Sequence, residues 1–456
     1  MRQNKVETIT GLRRGREYGK TIYILLMGLL LLSFPYMMFT YTHFVTYQVP
    51  AFIWLLRCAS SVLAIYLGRL WKDRGFQILS IYLLYILLRT VISNPNDLFS
   101  MRFSESVLTG IWAFTACYGL AKILNQEELK SCLRISALIW TLVMAVSCCV
   151  GIYAAWQGHR IYTAGDAAFW GLYPKRLMIP YLPTVSGALT SLSAMIDLCA
   201  MVCEKKKALR VFYIITLIPI LLALSLTDSR TAFLSFAIGA GALSFLCLAR
   251  QNGKNTGKNK KRTLLAAAAG MVICAGTVFL LMQAENLFHS ARIRGGLFIT
   301  NAMAETAERN SAARGFSGDS GMLTGRFELW KGTIRYLIQN PLILLFGAGK
   351  ANPMKGINAL IGSDLAHTHN LPLMILTESG IIGVAILLIF AVYVFRTGIR
   401  KIKDSKSLFP LILLPIIISV MVGDMAECFT WMASSYFPTL PFLFVVLGIL
   451  TQEENA

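Results

Sequence analysis

Charge is scarce in this sequence, and acid is scarcer: 14% of the 456 residues are charged, 23 acidic against 43 basic. A chain so poor in charge and 56% hydrophobic carries too much apolar surface for an ordinary globular core, so the solvent for most of it is lipid. No C-x-x-C pair occurs among the ten cysteines, and Cys58, Cys117, Cys148, Cys149, Cys199, Cys203, Cys247 and Cys274 fall inside apolar runs. They read as small packing residues rather than a disulfide framework. No small-x-small cleavage site follows the basic start and the apolar run 22–32; the bulky, aromatic stretch 33–40 instead marks a retained first span. Internal repeats are absent, and the one biased tract is the basic, Gly- and Asn-containing segment 250–262.

What is present is a series of apolar stretches near the roughly 20 residues that a bilayer core of about 30 Å requires of a helix. They predict about twelve spans: 21–40, 51–70, 76–93, 105–124, 133–156, 181–203, 209–227, 231–249, 263–283, 371–395, 408–423 and 434–451. The formal charge of +20 does not gather on one domain, as nucleic-acid binding would favour, but falls in short clusters between spans. With the N-terminus inside, the even-numbered gaps hold Arg69, Lys72 and Arg74; Lys122, Lys130 and Arg134; Lys205, Lys206, Lys207 and Arg210; six basic residues in 250–262; and five in 396–406. The odd-numbered short gaps hold few or none, which predicts cytoplasmic termini. The expected organisation is all-α and polytopic: a cytoplasmic segment 1–20, spans one to nine over 21–283, a large extracytoplasmic loop subdomain over 284–370, and spans ten to twelve with a short tail over 371–456.

Two outer segments are long, 157–180 and 284–370. In the second, Thr324 suits a helix cap, and Phe327, Trp330, Ile334, Leu337 and Ile338 recur at helical spacing until Asn340 and Pro341 stop the helix. Such a helix would lie on the membrane with Arg326, Lys331 and Arg335 at headgroup level. The Gly-, Ser- and Ala-rich stretch 311–321 reads as mobile.

Three places on the expected outer side put charge or a titratable ring where an apolar protein gains nothing from it. The first is His367-Thr368-His369-Asn370, followed by Glu378, Gly380 and Gly383. An imidazole with an unperturbed pKa of about 6.5 can take up a hydroxyl proton near neutrality, although a pair of interfacial histidines could simply end a helix. The second is Arg326, whose guanidinium can grip phosphate through two parallel hydrogen bonds without losing its proton. The third is Arg230 in Thr227-Asp228-Ser229-Arg230; a snorkelling arginine paired with Asp228 is the plainer reading for a lone residue. Inside the spans, Arg57 lies about 9 Å below the outer start of span two at 1.5 Å per residue, where charge is expensive. It reads as facing an internal cavity, whereas Arg89 reads as snorkelling. Asp424 and Glu427 could bind acceptor hydroxyls or pair with these arginines. Trp170 and Tyr173 could stack on a sugar or anchor the interface. Asp364 with His367 and His369 could ligate a divalent ion, but no Asp-x-Asp pair stands in any outer loop, so no metal is expected.

The string His369-Asn370, nine residues, then Gly380-Ile381-Ile382-Gly383, flanked by Leu371, Leu376 and Glu378, resembles the motif of the O-antigen ligase and O-antigen polymerase superfamily. Thr227-Asp228-Ser229-Arg230 resembles its Ser-Arg turn between two central spans. Gly325-Arg326 with Leu329-Trp330, running to Asn340-Pro341 and Gly347-Ala348-Gly349, resembles its large-loop helix. The three matches occur in family order over about residues 210–395; the first 200 residues match only as a set of spans.

The resemblance implies a GT-C-like membrane glycosyltransferase fold and a lipid-pyrophosphate glycan donor, usually on undecaprenol. Carried over, His369 activates the acceptor hydroxyl, and Arg230 and Arg326 hold the pyrophosphate. Arg57 is a further candidate for donor phosphate, and His367, Asn370 and Glu378 are auxiliary. Single displacement at the anomeric carbon would invert the linkage, and no cofactor is implied. The leading expectation is a polymerase of polysaccharide repeat units in capsule, exopolysaccharide or O-antigen synthesis, working in the cell membrane. A ligase would share the donor site and differ in a lipid-core or protein acceptor, read by loops such as 157–180 and 285–322. A flippase of lipid-linked sugars would need charge through the midplane and pseudo-symmetric repeats. A plain scaffold leaves Arg230, Arg326 and His369 unexplained.

Overall fold

The computed structural model describes residues 17–29, 51–93, 95, 108–162, 169–173, 176–179, 183–252, 259–294, 326–350, 353–362, 365, 367–403, 409–425 and 428. Span 434–451, the stretch 311–321, Thr324, Asp364, Glu427 and the side chain of Tyr173 lie outside the described residues.

The first part of the chain forms helices α1 (17–29), α2 (Ala51–Gly68), α3 (Arg74–Ser93), α4 (Thr109–Ile123) and α5 (Gln126–Gln157). Three short strands follow, β1 (Ile161–Tyr162), β2 (Phe169–Tyr173) and β3 (Arg176–Met178), and then α6 (Pro183–Cys203), α7 (Lys207–Leu226), α8 (Arg230–Asn252) and α9 (Asn259–Arg294). The remainder is α10 (Arg326–Gln339), α11 (Pro341–Phe346), α12 (Lys355–Ile361), α13 (Leu371–Lys403) and α14 (Phe409–Asp424).

Among the described residues, six helices are long and apolar enough to cross a membrane: Arg74–Ser93, Glu127–Gln157, Val185–Cys203, Lys207–Leu226, Arg230–Leu248 and Leu371–Arg400. Shorter apolar helices cover Leu55–Gly68, Ala268–Ala284 and Ile412–Asp424. Their outward faces carry Leu55, Tyr66, Ile92, Ile218, Val272 and Leu388 exposed, as helices that satisfy their own backbone in lipid can afford to do.

Besides a smaller cluster of α10, α12 and α13 around Leu329, Ile357 and Met374, two large apolar clusters lie beneath that surface among the described residues. One joins α1–α4 with α13 and α14 around Tyr23, Leu79, Tyr118 and Leu413. The other joins α5–α8 with α14 around Met144, Met195, Leu224 and Phe236. Helices α5 and α14 contribute to both.

The helix starts follow local chemistry. Asn125 opens α5 as a capping box: its side chain accepts the Glu127 and Glu128 N–H groups at 3.1 and 2.9 Å, and the Glu128 carboxylate accepts the Asn125 N–H at 2.8 Å. The same carboxylate takes the Lys20 ammonium at 2.7 Å, tying α1 to α5. Asp73 caps α3 through the Phe76 N–H at 2.9 Å and pairs with Lys122 at 2.5 Å. Glu204, just past α6, pairs with Arg134 at 2.8 Å. Burial alone would raise its carboxyl, but the N–H groups of Lys206 and Lys205 and the Arg134 guanidinium hold it below the usual carboxylate range. Lys122 and Arg134 come from the basic clusters that the sequence places in the even-numbered gaps.

The loop 157–180 departs from the all-α expectation. Its strands form an antiparallel sheet in the order β1-β2-β3, with Ile161 opposite Trp170 and Leu172 opposite Leu177. Trp170 is buried, and its indole N–H donates to Ser147 Oγ at 2.7 Å, so this side chain packs against α5 instead of waiting for a sugar.

Candidate functional site

The turn between α7 and α8 is held from outside by the small sheet. Arg176 of β3 donates from Nε to the Thr227 carbonyl at 2.8 Å and from Nη2 to the Asp228 carbonyl at 3.0 Å, with the Asp228 carboxylate 4.0 Å away. A cation there suits the negative C-terminal end of α7. Asp228 takes a left-handed φ of 48°, which reverses the chain within three residues and makes Arg230 the first residue of α8. Gly187 of α6 lets this turn pack close, since a Cβ there would lie 2.6 Å from the Ser229 Cβ. Arg230 is exposed, and no described residue pairs or hydrogen-bonds with its guanidinium. The Asp228 partner expected for it belongs to Arg176.

Arg326 is the first described residue of its helix, α10. A cation in the first turn faces the positive end of the helix dipole, an unfavourable placement of about 0.3–1 kcal/mol that a bound anion would turn into an asset. The inner face of α10, Leu329, Thr333 and Leu337, is buried, while Phe327, Lys331, Ile334, Arg335 and Ile338 are exposed. Trp330 fixes this helix to the histidine motif by donating its indole N–H to the Thr368 carbonyl at 3.0 Å.

The motif itself is a tight, internally bonded turn. His369 has φ 49°, a conformation uncommon outside glycine. Its backbone N–H donates to Nδ1 of His367 at 3.2 Å, and the two rings meet edge to face with centroids 4.2 Å apart. That bond requires His367 to be unprotonated at Nδ1. Thr368 is buried and its hydroxyl donates to the Asn370 carbonyl at 2.7 Å. Asn370 has two structural tasks: its Oδ1 caps α13 through the Leu373 N–H at 2.9 Å, and its Nδ2 donates to the Met425 carbonyl at 2.8 Å, just past α14.

Helix α14 also relates Arg230 to this motif. Ser235 of α8 donates to the Ser419 carbonyl of α14 at 2.5 Å. At about 1.5 Å per residue, Arg230 lies roughly 7 Å and Met425 roughly 9 Å from that bond along their helices. Arg230, Met425 and hence Asn370 therefore stand at similar height at one end of the bundle. Arg326 reaches the same end through Trp330.

Arg57 belongs elsewhere. It sits in α2, 9% exposed, and its Nε and the Ser60 hydroxyl are buried without a partner among the described residues. Ser61 bonds the Arg57 and Trp112 carbonyls, tying α2 to α4. No described contact joins Arg57 to Arg230, Arg326 or His369. Arg89, expected to snorkel, instead donates Nε to the Gly347 carbonyl at 2.7 Å.

Glu378 is fully engaged by a residue that sequence reading passes over. It pairs with Lys350 at 3.5 Å, both side chains only 3% exposed. Burial draws the Lys350 ammonium below the ordinary lysine range, opposed by the attraction of Glu378. The available signal was Glu378 itself: an acid in an otherwise apolar helix demands a counter-charge. An acid that sequence reading passes over, Asp197 of α6, is buried and accepts the Thr141 and Thr216 hydroxyls, but it lies about 15 Å down α6 from Gly187, which packs against the Arg230 turn, at 1.5 Å per residue. Among the described residues no group of three or more His, Cys, Asp or Glu side chains could hold a metal ion. Asp424 is buried at the end of α14.

The fold and this site together define a multi-pass α-helical membrane protein with cationic helix starts and a histidine turn gathered at one end of the bundle. Residues 215–388, which contain Arg230, Arg326 and His369, match the family described as O-antigen ligase. Over that segment the chain is similar to this family. No curated protein matches it.

Proposed function

We propose that this protein transfers a glycan from an undecaprenyl-pyrophosphate-type donor to an acceptor hydroxyl on the outer face of the cell membrane, and that it polymerises polysaccharide repeat units. The observation that carries this reading is the placement of Arg230 and Arg326 as the first residue of α8 and the first described residue of α10, at the end of the bundle that also holds the His369 turn. Each combines a permanent cation with the N-terminal turn of a helix, a pairing that suits a diphosphate.

In this mechanism His369 takes the proton of the acceptor hydroxyl as its oxygen bonds to the anomeric carbon. The bond from that carbon to the phosphate oxygen breaks, and the electron pair leaves with the pyrophosphate. Arg230 and Arg326 neutralise the charge that grows there. His367 orients His369 through the bond to its N–H. A single displacement of this kind inverts the linkage, and fixed guanidinium groups do the work that a metal would do.

The test is transfer by purified protein supplied with a lipid-pyrophosphate repeat unit. A ladder of products is expected from the wild type, and none from equally inserted His369→Ala, Arg230→Ala or Arg326→Ala proteins. One added glycan on a lipid-core or protein acceptor, with no ladder, would identify a ligase. Full turnover by a well-inserted His369→Ala protein would sink the catalytic assignment.

A further inference from the structure

Helix α13 is broken inside its apolar run. Gly380 has φ 65° and ψ −174°, which separates a half-helix of residues 371–379 from the part that continues to Lys403. The loop 347–350 fits into this break. The N–H groups of Ala348 and Gly349 donate to the carbonyls of Thr377 and Glu378 at 2.7 and 2.9 Å, replacing partners the helix has lost. The fit is backbone against backbone: a Cβ on Gly380 would lie 2.5 Å from the Gly347 nitrogen, and a Cβ on Gly347 would lie 2.5 Å from the Ser379 nitrogen.

Helix α3 closes the joint from the other side. Tyr85 donates its hydroxyl to the carbonyls of Phe346 and Ser379 at 2.8 and 3.0 Å, Arg89 bonds the Gly347 carbonyl, and Thr90 Oγ1 accepts the Lys350 N–H at 3.0 Å. At the centre lies the Lys350–Glu378 ion pair, withdrawn from solvent. The opposite end of the same half-helix carries His369-Asn370, held by the Met425 carbonyl and, through Thr368, by Trp330.

We propose that Lys350 and Glu378 are positioning residues: their buried pair locks loop 347–350 into the break of α13, so that the half-helix 371–379 holds His369 at a fixed place beside the arginines. A buried pair is a poor source of net stability, because desolvation offsets its attraction, and a neutral pair of similar volume folds as well. A charge-charge contact across 3.5 Å does, however, set the seat of one backbone segment on another. This inference rests on the transfer reading above for its effect on rate, but not for the joint itself.

The experiment uses the full-length protein in nanodiscs and compares wild type, Lys350→Met, Lys350→Met/Glu378→Gln and, as a control, His369→Ala. Hydrogen exchange over residues 371–379 reads the joint, thermal unfolding reads the fold, and kcat and KM with a lipid-pyrophosphate repeat unit read the chemistry. The single variant leaves Glu378 buried without a counter-charge and lowers the unfolding temperature. The double variant regains that temperature, yet exchange in 371–379 stays faster than in wild type and kcat stays down by about tenfold or more at unchanged KM, the scale expected for a misplaced reacting group. A double variant that recovers both kcat and exchange protection makes the pair structural only and overturns the proposal. If His369→Ala turns over like wild type, the transfer reading fails, and unchanged exchange in Lys350→Met would then still refute the joint.

Discussion

Gly380 and Gly362 share a φ of 65° but differ in what surrounds them, and alanine at each separates conformational strain from steric collision. Gly362 ends α12 with ψ 39°, and no atom of the described residues lies within 4 Å of where its Cβ would stand. Alanine there meets only the left-handed penalty, about 1 kcal/mol. Gly380, with ψ −174°, occupies a region essentially reserved for glycine, costing about 1–3 kcal/mol for another residue. Its Cβ would also press on the Leu345 and Gly347 backbone, which Tyr85 and Arg89 hold in place, and overpacking adds about 1–3 kcal/mol. Gly380→Ala should therefore cost several times what Gly362→Ala does. Thermal unfolding of the purified proteins in one detergent, followed by tryptophan fluorescence, measures both. Equal unfolding temperatures for the two variants would refute the interlocked backbone joint.

Further outcomes follow from single contacts. Asn370→Asp keeps the acceptor that caps α13 but faces the Met425 carbonyl with oxygen, so it should lose about 1–3 kcal/mol of stability and most activity, read by thermal unfolding and turnover. Arg176→Gln frees the Asp228 turn that aims Arg230, and should raise donor KM several-fold with normal insertion. The carboxyl of Glu204 is held below its ordinary value, so its stabilising contribution is present above the unfolded value of about 4.3 and is lost as pH falls through the lowered folded value. Arg134→Gln should shrink that acid-labile part in unfolding measured between neutral and acidic pH. Treatment with a chelator should leave transfer unchanged, since the proposed chemistry rests on guanidinium groups.

Apolar helices were legible where hydropathy reports lipid as the solvent. The run 51–70 became Ala51–Gly68, and 209–227 became Lys207–Leu226. Hydropathy is silent about where a helix continues in water. Helix α5 starts well before its apolar run because Asn125 and Glu128 cap it, and α9 continues past residue 283 to Arg294 through a polar but helix-favouring stretch. The strands of 161–178 went unread because each is short and its buried residues point at α5, a tertiary partner. The break in α13 was hidden for a related reason: a glycine in an apolar helix predicts only a modest local cost, and the loop that enters at Gly380 comes from 30 residues earlier. Single charged residues were visible as candidates, but their partners were not. Arg89 found a carbonyl, Glu378 found Lys350, and Asp228 found Arg176 rather than Arg230.

Donor binding and product formation, followed together, address the division of labour most directly. With a radiolabelled undecaprenyl-pyrophosphate glycan, Arg230→Gln and Arg326→Gln should lose retention of the donor, whereas His369→Ala should retain it and yet form no product. Undiminished donor retention by the Arg230→Gln/Arg326→Gln double variant would contradict the account.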